Sequence, residues 1–201
     1  MLKITIEDIH SLIPKPDEPA NRPVSRSVFK SSAPSAWEDR HVAIALNDFI
    51  PELEQDRTFL GASEGNWSLH QLIRHLFQLT GPASLSLSSW GLTEKPLKDL
   101  LDLVIDGTAL EPKLLLDYRV KLQSRAAYQM LLASGLDIRT SQNHSKLVIL
   151  LNDQWGITVV TSSNLTRNPR TEFYAVLTTR SLAVDVKEWF DGVHAKGNRL
   201  T

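Results

Sequence analysis

From residue 83 to residue 196 the chain switches repeatedly between two hydrophobic periods, and this alternation limits the possible folds more than any other feature. A period of two marks a strand with one face buried, and a period of 3.6 marks an amphipathic helix. In ASLSLSSWG, Leu85 and Leu87 alternate with serines, as in a strand. Residues 94–105 place Leu97, Leu100, Leu101 and Val104 at helical spacing, KLLLDYRV reads as a buried strand, and SRAAYQMLLASG reads as a helix closed by Gly135. DIRTS is a short strand. HSKLVILL and GITVVTSS are two more strands joined through the turn residues Asn152 and Asp153, TEFYAVLTT is another, and a last helix carries Val184, Val186, Trp189 and Phe190. Strands and helices alternating at these lengths predict an α/β fold, a mixed sheet sandwiched between helices.

The first 82 residues follow other rules. Five of the ten prolines fall in residues 14–34, which predicts an extended arm over 1–34. From Ser35 the run SAWEDRHVAIALNDFIPELEQ places Val42, Ala45, Leu46 and Phe49 at helical spacing before Pro51. Ser68 then stands as N-cap to LHQLIRHLFQLTG, whose apolar residues Leu69, Leu72, Ile73, Leu76 and Phe77 repeat helically up to Gly81-Pro82. The division expected is an arm at 1–34, a helical lead-in at 35–82 and the main domain at 83–201.

Composition removes several function classes. The absence of Cys excludes disulfides and thiol nucleophiles and fits a reducing cytoplasm, the compartment expected here. Twenty-two Lys+Arg against 23 Asp+Glu leave a net charge of −1, so any anion site must be built locally. No window approaches the roughly 18 apolar residues of a membrane span, and LKITIEDIH lacks the apolar stretch of a signal peptide. His70 and His75 fall on different helical faces, so a surface or packing role is expected of them rather than metal binding, and no metal or other cofactor is expected. His10 and His41 stand alone, and Trp90, Trp155 and Trp189 are expected in core or interface rather than as base-stacking platforms.

The chemistry concentrates in one hairpin. His144 and Lys146 sit two apart at the start of an apolar strand, and Ser162 and Asn164 stand at the end of the next. Pairing the two strands around Asn152-Asp153 brings these four residues together. Such a cluster suits a phosphodiester: Lys146 neutralises a nonbridging oxygen while Ser162 and Asn164 donate neutral hydrogen bonds. A neutral His144 imidazole can attack phosphorus, and a second, protonated imidazole opposite can protonate the leaving oxygen.

NHSKLVILLND followed by ITVVTSSNLTRNPRTEFYAV resembles the HxK…GSxN signature of the phospholipase D superfamily, and the strand-helix order upstream agrees over residues 83–142, so that the resemblance covers roughly residues 83–196. The resemblance implies a phospholipase D-like fold. It also implies His144 as nucleophile or acid partner, Lys146 and Asn164 as phosphate ligands, Ser162 as supporting donor and Glu172 as the carboxylate that orients the histidine. Arg167 and Arg170 follow on a loop expected to rim the site, where they can meet flanking phosphates of a nucleic acid. The chain departs from the family pattern at Leu151, where an Asp is usual five residues after the lysine, and at Thr161, where a Gly is usual.

The family needs two histidines per site, and one motif supplies one. His194-Ala195-Lys196 repeats the spacing without a following strand or a GSxN equivalent. The implied solution is a homodimer with two His144 side chains across a twofold axis, acting on nucleic acid without metal. The departures at Leu151 and Thr161 leave a second expectation open, a catalytically silent fold used for DNA binding or assembly.

Overall fold

In the computed structural model, which describes residues 36–39, 45–167 and 169–200, the alternation becomes one nine-stranded mixed sheet. Its strands are β1 (Ala36–Asp39), β2 (Arg57–Ala62), β3 (Ala83–Ser89), β4 (Ala109–Asp117), β5 (Asp137–Ser141), β6 (Leu147–Leu151), β7 (Gly156–Thr161), β8 (Phe173–Leu177) and β9 (Asn198–Arg199). They lie in the order β1-β2-β8-β7-β6-β3-β4-β5-β9. The helices among the described residues are α1 (Leu46–Phe49), α2 (Leu69–Thr80), α3 (Glu94–Ile105), α4 (Val120–Gln123), α5 (Arg125–Ala133) and α6 (Arg180–Lys196). None is long and apolar enough to cross a membrane.

Strands β3, β4 and β5 are parallel, whereas β6 is antiparallel to β3 and to β7, and β8 is antiparallel to β7 and to β2. The ends of β3, β4, β5 and β7 therefore share one edge of the sheet with the starts of β6 and β8. The hairpin expected around Asn152-Asp153 forms, with Leu147 opposite Val160 and Leu151 opposite Gly156. Asn152 Oδ1 closes the turn by accepting from the backbone N–H groups of Gln154 and Trp155 at 3.0 and 2.7 Å.

Period-two alternation divides the buried residues between two faces. On β6, Val148 and Leu150 enter one core with Leu85, Leu87, Leu114 and Leu116, against α2, α3 and α5, while Leu147 and Ile149 enter the other beneath Ala183, Val186 and Phe190 of α6. Each fully buried Leu or Ile contributes roughly 1.5–3 kcal/mol, so a one-residue slip of β6 would exchange two sets of favourable burials at once. Gly156 lets α6 approach, since a Cβ there would lie 2.7 Å from the Arg180 Cα. Beyond α6 the same face is bare: Val160 is 51% exposed and Phe173 54% exposed.

Two expectations for the N-terminal part need correction. Residues 36–39 form a strand parallel to β2 rather than the start of a long helix, and among the described residues of the predicted run only Leu46–Phe49 is helical. Residues 57–62, read within the helical lead-in, form β2, paired to β8 with Thr58 opposite Leu177 and Ala62 opposite Phe173. The sheet thus draws on the chain before residue 83. Helix α2 is as expected, with Gln71 Oε1 accepting from the Ser68 N–H at 2.9 Å. The proline-rich arm, His10, His41 and Val42 lie outside the described residues.

Histidines of the helices serve packing. The His75 ring donates to the Ile50 carbonyl at 2.7 Å, and the buried His194 stacks on Phe190 at 5.6 Å with Nε2 3.2 Å from the Asp137 carbonyl. His70 is buried, with Nε2 3.5 Å from an Asp99 carboxylate oxygen. Burial holds its pKa below the ordinary 6.5; Asp99 opposes this, while Lys95, Arg167 and Arg74 reinforce it. The folded state then binds fewer protons at this site than the unfolded chain, so stability is present above the unfolded pKa and is lost as pH falls through and below 6.5. Melting measured from pH 8 to pH 5 is expected to drop with acidification, and His70→Gln is expected to flatten that slope. An unchanged slope in the variant would assign the titration to another group.

Candidate functional site

The sheet edge gathers most of the residues singled out in the sequence. Strand β6 begins at Leu147, so His144 and Lys146 precede it on a short loop rather than occupying its first positions. His144 is exposed, and Lys146 is half-buried with Nζ 3.4 Å from His144 Nδ1 and donating to the His144 carbonyl at 2.8 Å. Burial lowers the Lys146 pKa, and the nearby Glu172 charge opposes that shift.

The loop is held by Asn143, which is buried and was not anticipated. Its Nδ2 donates to the carbonyls of Ser89 and Leu115, each at 3.2 Å, and its Oδ1 accepts from Ser145 Oγ at 2.6 Å and Ser88 Oγ at 3.2 Å. Its backbone N–H donates to Asp117 Oδ2 at 3.3 Å. The residue before the histidine is thereby tied to the ends of β3 and β4.

Asn164 is tied to the same place. Its Oδ1 accepts from the Gly91 N–H at 3.3 Å and from Ser89 Oγ at 3.4 Å, which leaves the amide nitrogen as the donor end of the side chain. Between those anchors, the Trp90 ring lies against the His144 ring, centroids 5.8 Å apart and planes at 56°. The segment Ser89-Trp90-Gly91 is therefore a common support for the histidine and the asparagine. Parallel strands ending at one edge were a signal for it, because ligand sites in such sheets form outside the carboxyl ends of the strands.

Ser162 donates through Oγ to a carboxylate oxygen of Glu172, in a short contact, and also accepts from the Phe173 N–H at 3.1 Å. Glu172 thus grips the serine, whereas the group 3.4 Å from His144 Nδ1 is the Lys146 ammonium. Thr161 has a structural use: its Oγ1 donates to the Phe173 carbonyl at 2.8 Å and accepts from the Ser163 N–H at 2.9 Å, clamping the turn that carries Ser162 and Asn164. Leu151 ends β6 at the opposite edge from Lys146 and packs under α6, with Asp153 exposed beyond it. Neither reaches the site.

A shallow cleft of about 570 Å³ opens beside His144 and Lys146, floored by Thr158, Val160, Val186 and Trp189. Arg167 lies on the rim of a separate hollow of about 670 Å³ with His70, Lys95 and Asp99, its backbone N–H donating to Thr93 Oγ1 at 3.3 Å. Arg170 is exposed on the same loop. No group of three or more His, Asp or Glu side chains converges among the described residues.

One basic residue that the sequence did not single out is fixed at this edge. Arg119 is held by Asp117, whose buried carboxylate accepts from Arg119 Nε at 2.6 Å and from the Arg119 backbone N–H at 3.0 Å. Burial alone would push the Asp117 pKa up; the bonds from Arg119 and from the Asn143 N–H outweigh it and hold the carboxyl below its usual range.

No family model matches the sequence, and no curated protein does. Solved structures do. The crystal structure of Nuc from Salmonella typhimurium, a phospholipase D family member, matches with a TM-score of 0.57 and 22% identity, over 71% of this chain and 96% of that one. NucT from Helicobacter pylori matches with a TM-score of 0.50 and 13% identity, over 68% of this chain and 95% of that one. TrmBL2, an archaeal chromatin protein whose structure shows a novel mode of DNA binding, matches with a TM-score of 0.50 and 16% identity, over 71% of this chain and 54% of that one.

Proposed function

We propose that this chain, which has the phospholipase D superfamily fold, is a metal-independent phosphodiesterase acting on nucleic acid at a site shared by two copies of itself. The observation that carries the reading is the convergence of the His144 ring and the Asn164 amide on one support, Ser89-Trp90-Gly91, with the Lys146 ammonium beside the ring. Lys146 and the Asn164 amide nitrogen are donors suited to the nonbridging oxygens of a phosphodiester, and Ser162, set by Glu172, supports them.

The lone pair of one His144 ring nitrogen forms a bond to phosphorus. The bond to the leaving oxygen breaks, and that oxygen takes a proton from the imidazolium of the partner's His144. Water then gives a proton to the now neutral imidazole and attacks phosphorus. The nitrogen–phosphorus bond breaks with its electron pair returning to His144. Each chain supplies one such histidine, and the apolar rim of Val160 and Phe173 beside it supports pairing of two copies through this edge.

Turnover of an activated phosphodiester is expected in EDTA, and specific activity is expected to fall when dilution drives the dimer toward monomer, followed by sedimentation. Activity that needs added metal would refute the metal-free chemistry, and activity that persists in a monomer would refute the shared site. Strand retention without cleavage would favour a DNA-binding module on the same fold.

A further inference from the structure

Beside His144 stands a row of flat side chains that the hydrolytic steps do not use. The Trp90 ring touches the His144 ring, the Arg119 guanidinium carbon lies 5.2 Å from the Trp90 ring centroid, and on its other contact it lies 5.4 Å from the Tyr118 ring centroid. The row leads outward from the scissile position to the surface, where Tyr118 is 49% exposed and the Arg119 side chain 45% exposed. It comes from the ends of β3 and β4, the edge that holds the rest of the site.

Two features separate this row from an ordinary surface arginine. The buried Asp117 carboxylate binds Nε of Arg119, so the guanidinium plane is fixed and its charge is already balanced. What it offers a ligand is a flat face more than a phosphate-seeking charge. Second, a large aromatic ring left half in solvent at a catalytic edge gains from a π-faced partner that can lie on it. Bases in a duplex have both faces covered, whereas unpaired bases can stack on aromatic and guanidinium planes. The net charge of −1 also leaves little backbone attraction to carry affinity, which throws weight onto contacts with the bases.

We propose that Tyr118, Arg119 and Trp90 form a stacking platform for an unpaired nucleobase flanking the scissile phosphate, which makes single-stranded nucleic acid the substrate class of this site. The inference rests on the phosphodiesterase reading above, and its test keeps the two apart. Fluorescence anisotropy with the full chain in EDTA would compare a short oligothymidine strand, an abasic strand of the same phosphate number and a duplex of the same length. His144→Ala serves as host so that no ligand is cut.

The base-bearing strand is expected to bind about tenfold more tightly than the abasic strand. Tyr118→Ala is expected to remove most of that ratio, Tyr118→Phe to keep it, and Arg119→Lys, which keeps charge and loses the plane, to reduce it. Equal binding of the two strands, preference for the duplex, or an equal loss for both strands in Tyr118→Ala would overturn the platform. Hydrolysis of an activated diester by the wild type, measured beside these titrations, needs no nucleobase. Turnover without base preference would sink the platform alone, and base preference without turnover would sink the phosphodiesterase alone.

Discussion

Mixing wild-type chains with His144→Ala chains in equal amounts, under conditions that let subunits exchange, is expected to leave about one quarter of the metal-free activity, because a shared site needs both histidines. A self-sufficient site on each chain would leave about half. The homogeneous variant is expected to lose at least about 10³-fold in kcat for an activated phosphodiester, as removal of a nucleophile commonly does. Its fold should survive: His144 is exposed and lies outside both apolar cores, so the change is expected to stay within about 0.5 kcal/mol of wild type. The informative measurement is the full curve of activity against wild-type fraction. A square law supports one imidazole from each protomer at a single phosphate. A straight line excludes it, whatever the homogeneous variant does, and an unchanged rate in that variant removes His144 from the chemistry altogether.

Strand β9, two residues just after α6, carries no pattern of its own, whereas β3 to β8 were legible because each has a period-two alternation or a short apolar run. Strand β2 was not. Its partner β8 lies more than one hundred positions later, and RTFLGA holds only a short apolar core around Phe59 before Gly61. Nothing local distinguishes it from loop, and the pairing that makes it a strand is non-local. The segment from Ser35 was misread for the opposite reason: Val42, Ala45, Leu46 and Phe49 do repeat at helical spacing, yet the described part keeps a helix only at Leu46–Phe49.

At the site, the hairpin residues were legible because chemistry and spacing coincide in HSK and SSN. The supporting residues were not, since Asn143, Asp117 and Trp90 are single side chains at the ends of three different strands and meet only when β3, β4 and β6 are in register. Arg119 shows the limit most directly. Its charge is ordinary in the sequence, and only the buried Asp117 beside it turns the guanidinium into a fixed plane. Thr161 was read as a departure from the usual Gly, and its hydroxyl fastens the turn carrying Asn164.

Asn143→Ala is expected to damage both stability and catalysis, and the two losses can be told apart. The side chain donates to two buried carbonyls and accepts from Ser88 and Ser145, so its removal strands several polar groups at a site only 7% exposed. Leaving such groups unpaired costs about 1–3 kcal/mol each before relaxation, and a net loss of about 3 kcal/mol would lower the melting temperature by about 10 °C in a chain of this size. Asn143 is also the covalent neighbour of His144, so releasing it frees the imidazole from its line to phosphorus. A misplacement of this kind is expected to lower kcat/KM about 100-fold at temperatures where the variant remains fully folded. Asn143→Asp sharpens the test, because it keeps the acceptors and shape but places a second buried carboxylate beside Asp117. Burial and like charge would raise its folded pKa above the unfolded value, so the stability that protonation preserves is lost as pH rises. This variant is expected to melt higher at pH 5 relative to pH 8 than the wild type does, opposite in sign to the His70 effect. A stability loss with unchanged activity per folded molecule would show that Asn143 holds the strand ends together without aiming the histidine.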